Sequence, residues 1–350
     1  MRALFIGGTG TISTAISKRI LEQGGELFLL NRGSRNAVLN AGEKPGKLVE
    51  IACDIRADSV DSIIKKIKAA AGGGKFDVVA DFIAFTPEHA AKDYAVFNGL
   101  CRQYIFISSA SAYQKPLSSY LITESTPLAN PYWEYSRNKI ACEELLTEQY
   151  RKNGFPITLV RPSHTYDERS VPLGVHGSRG SWQVVKRMKE GKPVIIHGDG
   201  TSLWTMTHNS DFARAFTGLM GNIHAIGEAV HITSDESLSW NQIYQAIAAA
   251  LDVPLKAAHI PSDFLAQCSS YDFTGGLTGD KANSVVFDNT KLKRLVPGFY
   301  AKVRFDQGIR ETIDHVLSHK DCQAEDPEFD AWCDRVIAAR EQAVKQVKNS

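Results

Sequence analysis

The sequence predicts an α/β protein: a Rossmann, doubly wound parallel sheet followed by a smaller, mixed C-terminal substrate-binding region. Three observations predict it. Short apolar runs alternate with helical segments through the first 165 residues, which is typical of a parallel sheet covered by helices on both faces. The first run ends in a glycine-rich turn at residues 7–10. Beyond residue 162 the alternation gives way to a segment, residues 166–204, that is rich in Gly, Pro, Ser and His.

The individual elements follow from the spacing of apolar residues. Strands are predicted at residues 2–6, 26–30, 47–53, 76–85, 103–107, 156–160 and 228–233. Helices, in which apolar residues recur every three or four positions, are predicted at residues 14–22, 60–71, 132–151, 182–190, 211–220, 240–251 and about 328–348. Glycines directly after the first two helices favour their C-terminal ends.

The change of pattern also divides the chain into regions. We expect residues 1–165, with about 205–235, to form the dinucleotide-binding domain. Residues 166–204 and 236–320 are expected to form the substrate-binding region. Residues 321–350 are expected to form a C-terminal helix that docks on its own domain or on a second copy of the chain. The basic residues of segment 182–192 are interpreted as a solvated helix face.

Composition excludes several classes of protein. Forty basic and 39 acidic residues give a formal net charge of +1, which argues against a general polyanion-binding protein. No apolar run reaches the roughly 18 residues of a transmembrane helix, and the first residues are not typical of a signal peptide. The six cysteines form no CxxC motif and no cluster with zinc spacing. We therefore expect a reduced, cytoplasmic protein without a metal site.

The glycine-rich turn is the strongest single motif. Gly7 permits a tight turn after the first strand, and Gly10 lets a pyrophosphate approach the backbone. The helix that follows presents its first amides, including those of Thr11 and Ile12, to the phosphates. Ser13 stands where a third glycine is usual, and it is small enough for close helix–strand packing. The turn therefore predicts a dinucleotide-binding site.

The end of the second strand bears on which dinucleotide binds. An acidic residue there would bind the 2′-hydroxyl of an NAD ribose, but this chain has Asn31, Arg32 and, shortly after, Arg35. The two arginines can pair with a 2′-phosphate, so NADP(H) is favoured. NAD(H) stays open, because arginines in loops are often simply solvated.

Residues at two further strand ends are expected to meet the cofactor. Asp54 and Ile55 follow the third strand, where Asp54 can reach the adenine ring or, alternatively, cap a turn. Ile83 and Ala84 follow the fourth strand and should pass close to the cofactor at the carboxyl edge of the sheet.

The catalytic candidates lie around the fifth strand. Tyr135 and Lys139 are four residues apart, on one face of the helix predicted after that strand. A phenol is a poor base at neutral pH, and a nearby ammonium group stabilises its ionised form. The strand ends in the hydroxyl-rich segment 108–113, and a serine there can hold the oxygen of a carbonyl or alkoxide. This combination predicts hydride transfer with tyrosine as the acid/base.

Together these motifs resemble the extended short-chain dehydrogenase/reductase family, the group of NAD-dependent epimerases and dehydratases. The glycine turn, the hydroxyl-rich segment and the tyrosine–lysine pair follow the family's order and spacing, as do residues 77–79, 161–166, 198–200 and 211. The resemblance implies that Ser109, Tyr135 and Lys139 are catalytic. It also implies that Pro162 and His164 pass the nicotinamide.

The substrate is less defined, because the chain departs from the family at one position. Family enzymes for nucleotide sugars carry a diphosphate-binding arginine four residues after the second glycine of the Gly-Asp-Gly segment, where this chain has Trp204. Trp cannot neutralise a diphosphate but can stack on a sugar, and Arg179 could supply the charge. We expect a small, sugar-like substrate near Ser111, Arg179 and Trp204, with or without a nucleotide.

Three functions remain open at this point. The enzyme could be a redox-neutral epimerase or dehydratase, or a net NADPH-dependent reductase or dehydrogenase. A rival from another class is a catalytically silent RNA-binding or nucleotide-sensing protein on the same fold. The presence of all three catalytic residue types argues against that rival. We expect a homodimer to be possible, and neither a membrane nor a nucleic acid as partner.

Overall fold

Most of the predicted apolar runs form strands in the computed structural model, which describes residues 1–32, 39, 45–269 and 271–349. In chain order the strands are β1 (Arg2–Ile6), β2 (Glu26–Asn31), β3 (Lys47–Ala52), β4 (Val78–Asp81), β5 (Tyr104–Ile107), β6 (Leu121–Ile122), β7 (Ile157–Pro162), β8 (His164–Tyr166), β9 (Val194–His197), β10 (Leu203–Trp204), β11 (Met206–His208), β12 (Ala229–Ile232), β13 (Leu238–Ser239), β14 (Ala257–Ile260) and β15 (Val286–Phe287).

The α-helices alternate with these strands in the first half of the chain and dominate the second. They are α1 (Thr11–Glu22), α2 (Val60–Ala71), α3 (Pro87–Phe97), α4 (Glu134–Asn153), α5 (Trp182–Lys189), α6 (Asn209–Leu219), α7 (Trp240–Ala250), α8 (Ser262–Gln267), α9 (Thr290–Leu295), α10 (Phe305–Ser318) and α11 (Pro327–Asn349). A π-helical segment spans Thr274–Lys281.

Seven strands form one parallel sheet in the order β12-β7-β5-β4-β1-β2-β3. The five inner strands are buried on both faces, which explains why they appear in the sequence as largely apolar runs. The chain winds outward in one direction through β2 and β3 and in the other from β4 onward. The carboxyl ends of β1 and β4 therefore flank the topological switch point, where doubly wound sheets bind ligands. The predicted fold class is confirmed.

Helices cover both faces of this sheet. Ile16 of α1 packs with Phe212 and Phe216 of α6 on one face. On the other face α2, α3 and α4 bury apolar side chains such as Phe97. Helix α3 had not been predicted. Its start is marked by Pro87 in the first turn, a position that proline favours, rather than by a strong apolar stripe.

The C-terminal region has its own apolar core, built from α5, α7, α10, α11 and the strand pair β9–β14. Trp240 and Tyr244 of α7, Ile309 of α10 and Phe329 of α11 belong to it. Short two-stranded pairings of β10 with β13, β8 with β11, and β6 with β15 complete the region. It is therefore mixed in structure, as predicted. Within the described ranges, no helix is long and apolar enough to span a membrane.

The expectation of a solvated basic face on segment 182–192 was wrong for its central arginine. Arg187 is fully buried. Its guanidinium group donates to the carboxylates of Asp330 and Asp334 on α11, each at 2.7 Å, and to the carbonyl of Pro193. The charge is buried because acidic residues far along the chain neutralise it. Helix α11 thus docks on its own chain through its first half.

Candidate active site

The glycine turn between β1 and α1 has the geometry of a phosphate-binding loop. Gly7 has a φ of +80°, and a Cβ atom there would lie 2.6 Å from the Ile83 side chain, so no other residue fits. The Ser13 hydroxyl donates to the Gly7 carbonyl and accepts from the Gly10 amide, both at 2.8 Å. Ser13 therefore ties the turn together where a third glycine is usual. The first amides of α1, which lack intrahelical acceptors, include those of Thr11 and Ile12.

A cleft of about 630 Å³ opens in front of this turn. Its lining includes seven of the predicted cofactor residues: Gly7, Gly10, Asn31, Arg32, Asp54, Ile55 and Ile83. The sequence did not single out the other residues that line it, which are Thr9, Leu30, Cys53, Arg56, Phe85 and His89. The backbone approach at the turn and the size of the cleft fit a dinucleotide. Arg35 lies outside the described residues.

Asp54 caps a turn at the edge of this cleft. One carboxylate oxygen accepts from the amides of Arg56 and Ala57, at 3.0 and 3.2 Å. These hydrogen bonds hold the pKa of Asp54 below its usual range, and the charge of Arg32 acts in the same direction. The capping alternative is therefore confirmed by geometry. Contact of Asp54 with an adenine ring stays a prediction.

A buried ionic network lies beneath the cleft. Arg56 donates to Asp81, at the end of β4, and to Asp93 of α3, at 2.7 and 2.8 Å. Both carboxyl groups are fully buried, and Tyr104 donates to Asp93 at 2.8 Å. Burial and the neighbouring Asp81 raise the pKa of Asp93 well above its usual range. The network joins β4, α3 and the turn after β3, so Arg56 is committed to the fold.

The predicted catalytic residues come together at the carboxyl end of β5. Ser109 and Ser111 share a hydrogen bond of 2.8 Å, and Ser136, the residue after Tyr135, donates to Ser111 at 2.7 Å. Three serine hydroxyls are therefore hydrogen-bonded in series beside the tyrosine. Burial raises the pKa of Tyr135 to about 12, and the nearby hydroxyl of Ser109 acts in the opposite direction.

Lys139 lies one turn along α4 from Tyr135 and is almost fully buried. Its ammonium group donates to the carbonyls of Ala84 and Ile107, both at 2.7 Å. The group lies 4.8 Å from the ring centre of Phe85 and 5.7 Å from that of Tyr135. Burial lowers the pKa of Lys139 to about 8. The lysine therefore links the strand ends that carry the cofactor cleft to the tyrosine.

A second cavity, of about 350 Å³, lies next to Tyr135. We call it the substrate cavity. Six predicted residues line it: Ser109, Ser111, Tyr135, Pro162, His164 and Trp204. Burial lowers the pKa of His164 to about 3, so this imidazole is neutral at physiological pH. The indole nitrogen of Trp204 is buried and has no hydrogen-bond partner among the described residues.

Sequence reasoning missed several other residues of this cavity, including Lys115, Trp133, Asp280 and Lys281. Lys115 follows closely after the hydroxyl-rich segment 108–113, a position that could have drawn attention to it. Asp280 and Lys281 stand in the π-helical segment, far along the chain, where no motif marked them.

Four other predicted residues line neither the cofactor cleft nor the substrate cavity. Arg179 is exposed, donates to the carbonyl of Glu325 at 3.2 Å, and is not part of the lining of either cavity. Thr11 lines a smaller cavity of about 160 Å³ next to His164. Ile12 packs against the apolar cluster of α1 and α6, and Ala84 is buried and contributes its carbonyl to Lys139.

Comparisons with known proteins agree with this architecture. The chain is similar to the 2'-dehydrokanamycin reductase of Streptomyces kanamyceticus, with 26% identity over 303 residues, 85% of this chain and 80% of the relative. It is also similar to the chloroplast stem-loop binding protein of 41 kDa b of Arabidopsis thaliana, with 27% identity over 257 residues, 72% of this chain and 64% of the relative.

Two solved structures show the same fold. A dTDP-glucose 4,6-dehydratase from Bacillus anthracis in complex with NAD superposes with a TM-score of 0.71 and 17% identity, covering 92% of this chain and 98% of its own. A UDP-glucuronic acid 4-epimerase from Bacillus cereus in complex with UDP-glucuronic acid and NAD gives a TM-score of 0.69, also at 17% identity, covering 91% of this chain and 99% of its own.

The sequence model of one family spans the glycine turn and the segments that carry Ser109, Tyr135 and Lys139. It matches residues 3–232, well over half of the chain, and its description is NAD dependent epimerase/dehydratase family. The group that the motifs resemble is thereby confirmed, together with the expectation of an enzyme that uses a nicotinamide cofactor. The chain belongs to the NAD dependent epimerase/dehydratase family.

Proposed function

We propose that this enzyme interconverts a carbinol and a carbonyl group on a sugar-like substrate, with Ser109, Tyr135 and Lys139 as its catalytic residues. One observation carries the proposal: Ser109 and Tyr135 line the substrate cavity, and Tyr135 and Lys139 both lie against Phe85, which lines the cofactor cleft. A bound nicotinamide supplies the hydride exchange. The residues of the chain must therefore bind the oxygen of the substrate and move its proton.

Each residue has a distinct task in this proposal. The Tyr135 hydroxyl gives its proton to the carbonyl oxygen during reduction and takes a proton from the carbinol during oxidation. With a pKa raised to about 12, the phenol is protonated at neutral pH, which suits the reducing direction. Ser109 donates a hydrogen bond to the same oxygen. Lys139 orients the tyrosine and binds the ribose next to the nicotinamide.

The test of this proposal is Tyr135→Phe, which removes the hydroxyl and keeps the ring. We expect turnover to fall by roughly 10²–10⁴, the usual contribution of a general acid/base, with cofactor affinity unchanged. Tyr132→Phe is the matched control, because Tyr132 is an exposed residue of the same segment. Full activity of Tyr135→Phe on a substrate that the wild type converts would contradict the mechanism.

We propose NADP(H) as the preferred cofactor. Among the described cleft residues, Arg56 is committed to Asp81 and Asp93, and Arg32 remains the arginine able to meet a 2′-phosphate. Fluorescence titration should give a lower Kd for NADPH than for NADH. Arg32→Gln should weaken NADPH binding roughly tenfold and leave NADH unchanged, and the exposed Arg102→Gln should change neither. Equal or tighter binding of NADH to the wild type would overturn this preference.

Net reduction and redox-neutral catalysis remain two candidate outcomes. Similarity to a protein named as a reductase supports the first, and similarity to curated dTDP-glucose 4,6-dehydratases supports the second. Denaturing the fresh protein and identifying any released nucleotide by mass spectrometry separates them. Near-stoichiometric NAD or NADP indicates a cofactor held through the cycle of an epimerase or dehydratase. An empty protein that binds NADPH reversibly indicates a reductase or dehydrogenase.

We extend the proposal to location and partners. All six cysteines are free thiols, which supports a reducing compartment such as the cytoplasm. A homodimer, measurable by light scattering, is proposed as the oligomeric state. Similarity to a stem-loop binding protein makes RNA the alternative partner. RNA affinity that falls steeply with salt would favour it, and we expect no such binding because the chain is nearly neutral overall.

A further inference from the structure

One cation in the wall of the substrate cavity has no counter-charge of its own. Lys115 lines the cavity together with Ser109 and Tyr135 and is only 3% exposed. Its amide donates to the carbonyl of Ala129 at 2.7 Å. Its ammonium group makes no hydrogen bond or ion pair with any residue that the structure describes. A buried ammonium group without a partner is unfavourable. A bound ligand that accepts its hydrogen bonds would offset that cost.

The nearest carboxylate is already engaged. Asp280 pairs with Lys281, with 3.8 Å between the carboxylate oxygen and the ammonium nitrogen. Asp280 acts on Lys115 only through space, and His164 in the same lining is neutral. The charged residues of the cavity are therefore two ammonium groups and one carboxylate, which leaves a surplus of one positive charge.

Two other polar atoms of the lining also lack partners. The indole nitrogen of Trp204 and the hydroxyl of Ser163 are buried, with no hydrogen-bond partner among the described residues. Both can donate hydrogen bonds. Unpaired donors next to an unpaired cation favour a ligand group rich in oxygen acceptors, and they disfavour a cationic one.

We propose that the substrate carries an anionic group, a carboxylate or a phosphate, that Lys115 binds inside the substrate cavity. Its negative charge balances the surplus, and its oxygens accept from the ammonium group and the neighbouring donors. A sugar with an amino group would instead add a second uncompensated positive charge to the cavity. This inference rests on the proposed function, since it takes the cavity next to Tyr135 as the substrate site.

The first test uses inorganic phosphate and thermal unfolding. In phosphate-free buffer, Lys115→Met should unfold at the same temperature as the wild type or higher, because the substitution removes an uncompensated buried charge. With saturating NADPH present to occupy the phosphate-binding turn, phosphate should then raise the unfolding temperature of the wild type but not that of Lys115→Met. Lys47→Met, which removes an exposed lysine on β3, is the control and should respond to phosphate like the wild type. A marked loss of stability in Lys115→Met would assign the lysine a structural role and overturn the proposal.

The second test compares four sugars by calorimetric titration of the NADPH-loaded enzyme: D-glucuronate, D-glucose 6-phosphate, D-glucose and D-glucosamine. At least one of the two anions should bind at least about tenfold more tightly than glucose, and glucosamine more weakly than glucose. The anion that binds identifies carboxylate or phosphate as the recognised group. Lys115→Met should abolish the anion preference and leave the affinity for glucose unchanged. Equal affinities for all four sugars would overturn the proposal.

These tests separate the inference from the function on which it rests. Tyr135→Phe keeps Lys115 and should still prefer the anion, although it cannot move the proton. If Tyr135→Phe is fully active, the mechanism fails while the anion result stands. If NADPH binds and Tyr135→Phe is inactive, but Lys115→Met keeps its anion preference, the inference alone fails.

Discussion

At the scale of single residues, the least expected feature of the active site is Ser136. It follows Tyr135, the proposed acid/base, on α4, and its hydroxyl donates to Ser111, which is itself bonded to Ser109. Because Ser136 donates, the Ser111 hydroxyl is free to donate to Ser109. The Ser109 proton is then available to Tyr135 or to the oxygen of the substrate. In the proposed mechanism Ser136 thus positions the Ser109 hydroxyl without lining the substrate cavity.

This arrangement predicts a selective effect of Ser136→Ala. Loss of one buried hydrogen bond costs about 1 kcal/mol, and here the loss misorients a group that acts in the transition state. We expect kcat to fall by roughly tenfold with KM and cofactor Kd unchanged, measured by steady-state kinetics. Ser125→Ala removes a hydroxyl that is not part of this hydrogen-bonded series, and it should leave kcat unchanged. A rise in KM without a change in kcat would contradict a positioning role.

At the scale of elements, local sequence patterns were sufficient to predict a helix or strand whose apolar spacing and end residues lie within one segment. The strands of the sheet, α1, α2 and α4 were predicted because apolar spacing and terminal glycines lie within each segment. Tyr135 and Lys139 could be proposed as a pair because they lie one helix turn apart. By contrast, α3 has a weak apolar stripe, and the main sequence feature that marks its first turn is Pro87.

Features that depend on pairing between distant segments could not be predicted. The sequence of α5 shows a row of basic residues but not that Arg187 meets carboxylates on α11. Lys115 and Asp280 lie far apart in the sequence, and only the fold places them in one cavity. The net charge of this cavity could therefore not be predicted from the sequence, whereas the position of Tyr135 in its lining could.

The network that joins β4, α3 and the turn after β3 has a testable pH dependence. The pKa of Asp93 is raised in the folded protein, so above about pH 4 the folded state binds more protons than the unfolded state. Stability therefore falls as the pH rises from there towards the folded-state pKa. Asp93→Asn mimics the protonated form and should flatten this decline, as measured by urea unfolding at several pH values.

The variant to compare with Asp93→Asn is Asp93→Ala, which removes the carboxylate that accepts hydrogen bonds from Arg56 and Tyr104. It should destabilise the protein by about 2 kcal/mol near pH 4, and by less as the pH rises, because the wild type itself loses stability there. An Asp93→Asn variant whose stability declines with pH as steeply as the wild type would show that the carboxyl is ionised in the folded state.

At the scale of the whole molecule, the active site depends on two apolar cores. The cofactor cleft is lined by the glycine turn, by residues at and after the ends of β2, β3 and β4, and by His89 of α3. The substrate cavity has one wall from β5, α4 and β7, and the other from Trp204 and the segment around Asp280. Weakening the C-terminal core should therefore lower the affinity for substrate more than the affinity for the cofactor. Only the substrate cavity is lined in part by residues of the C-terminal region.

Arg187 allows this separation to be tested, since it holds α11 on the C-terminal core. Arg187→Met removes hydrogen bonds to Asp330, Asp334 and a backbone carbonyl, and we expect a loss of about 2–3 kcal/mol in the free energy of unfolding. The adjacent Lys186→Met breaks only a surface ion pair with Glu325, and should cost less than about 1 kcal/mol. The Kd for NADPH should be the same in both variants, while KM for substrate rises in Arg187→Met alone. A weakened NADPH affinity in Arg187→Met would mean that the two cores are not independent and that α11 supports the cofactor cleft as well.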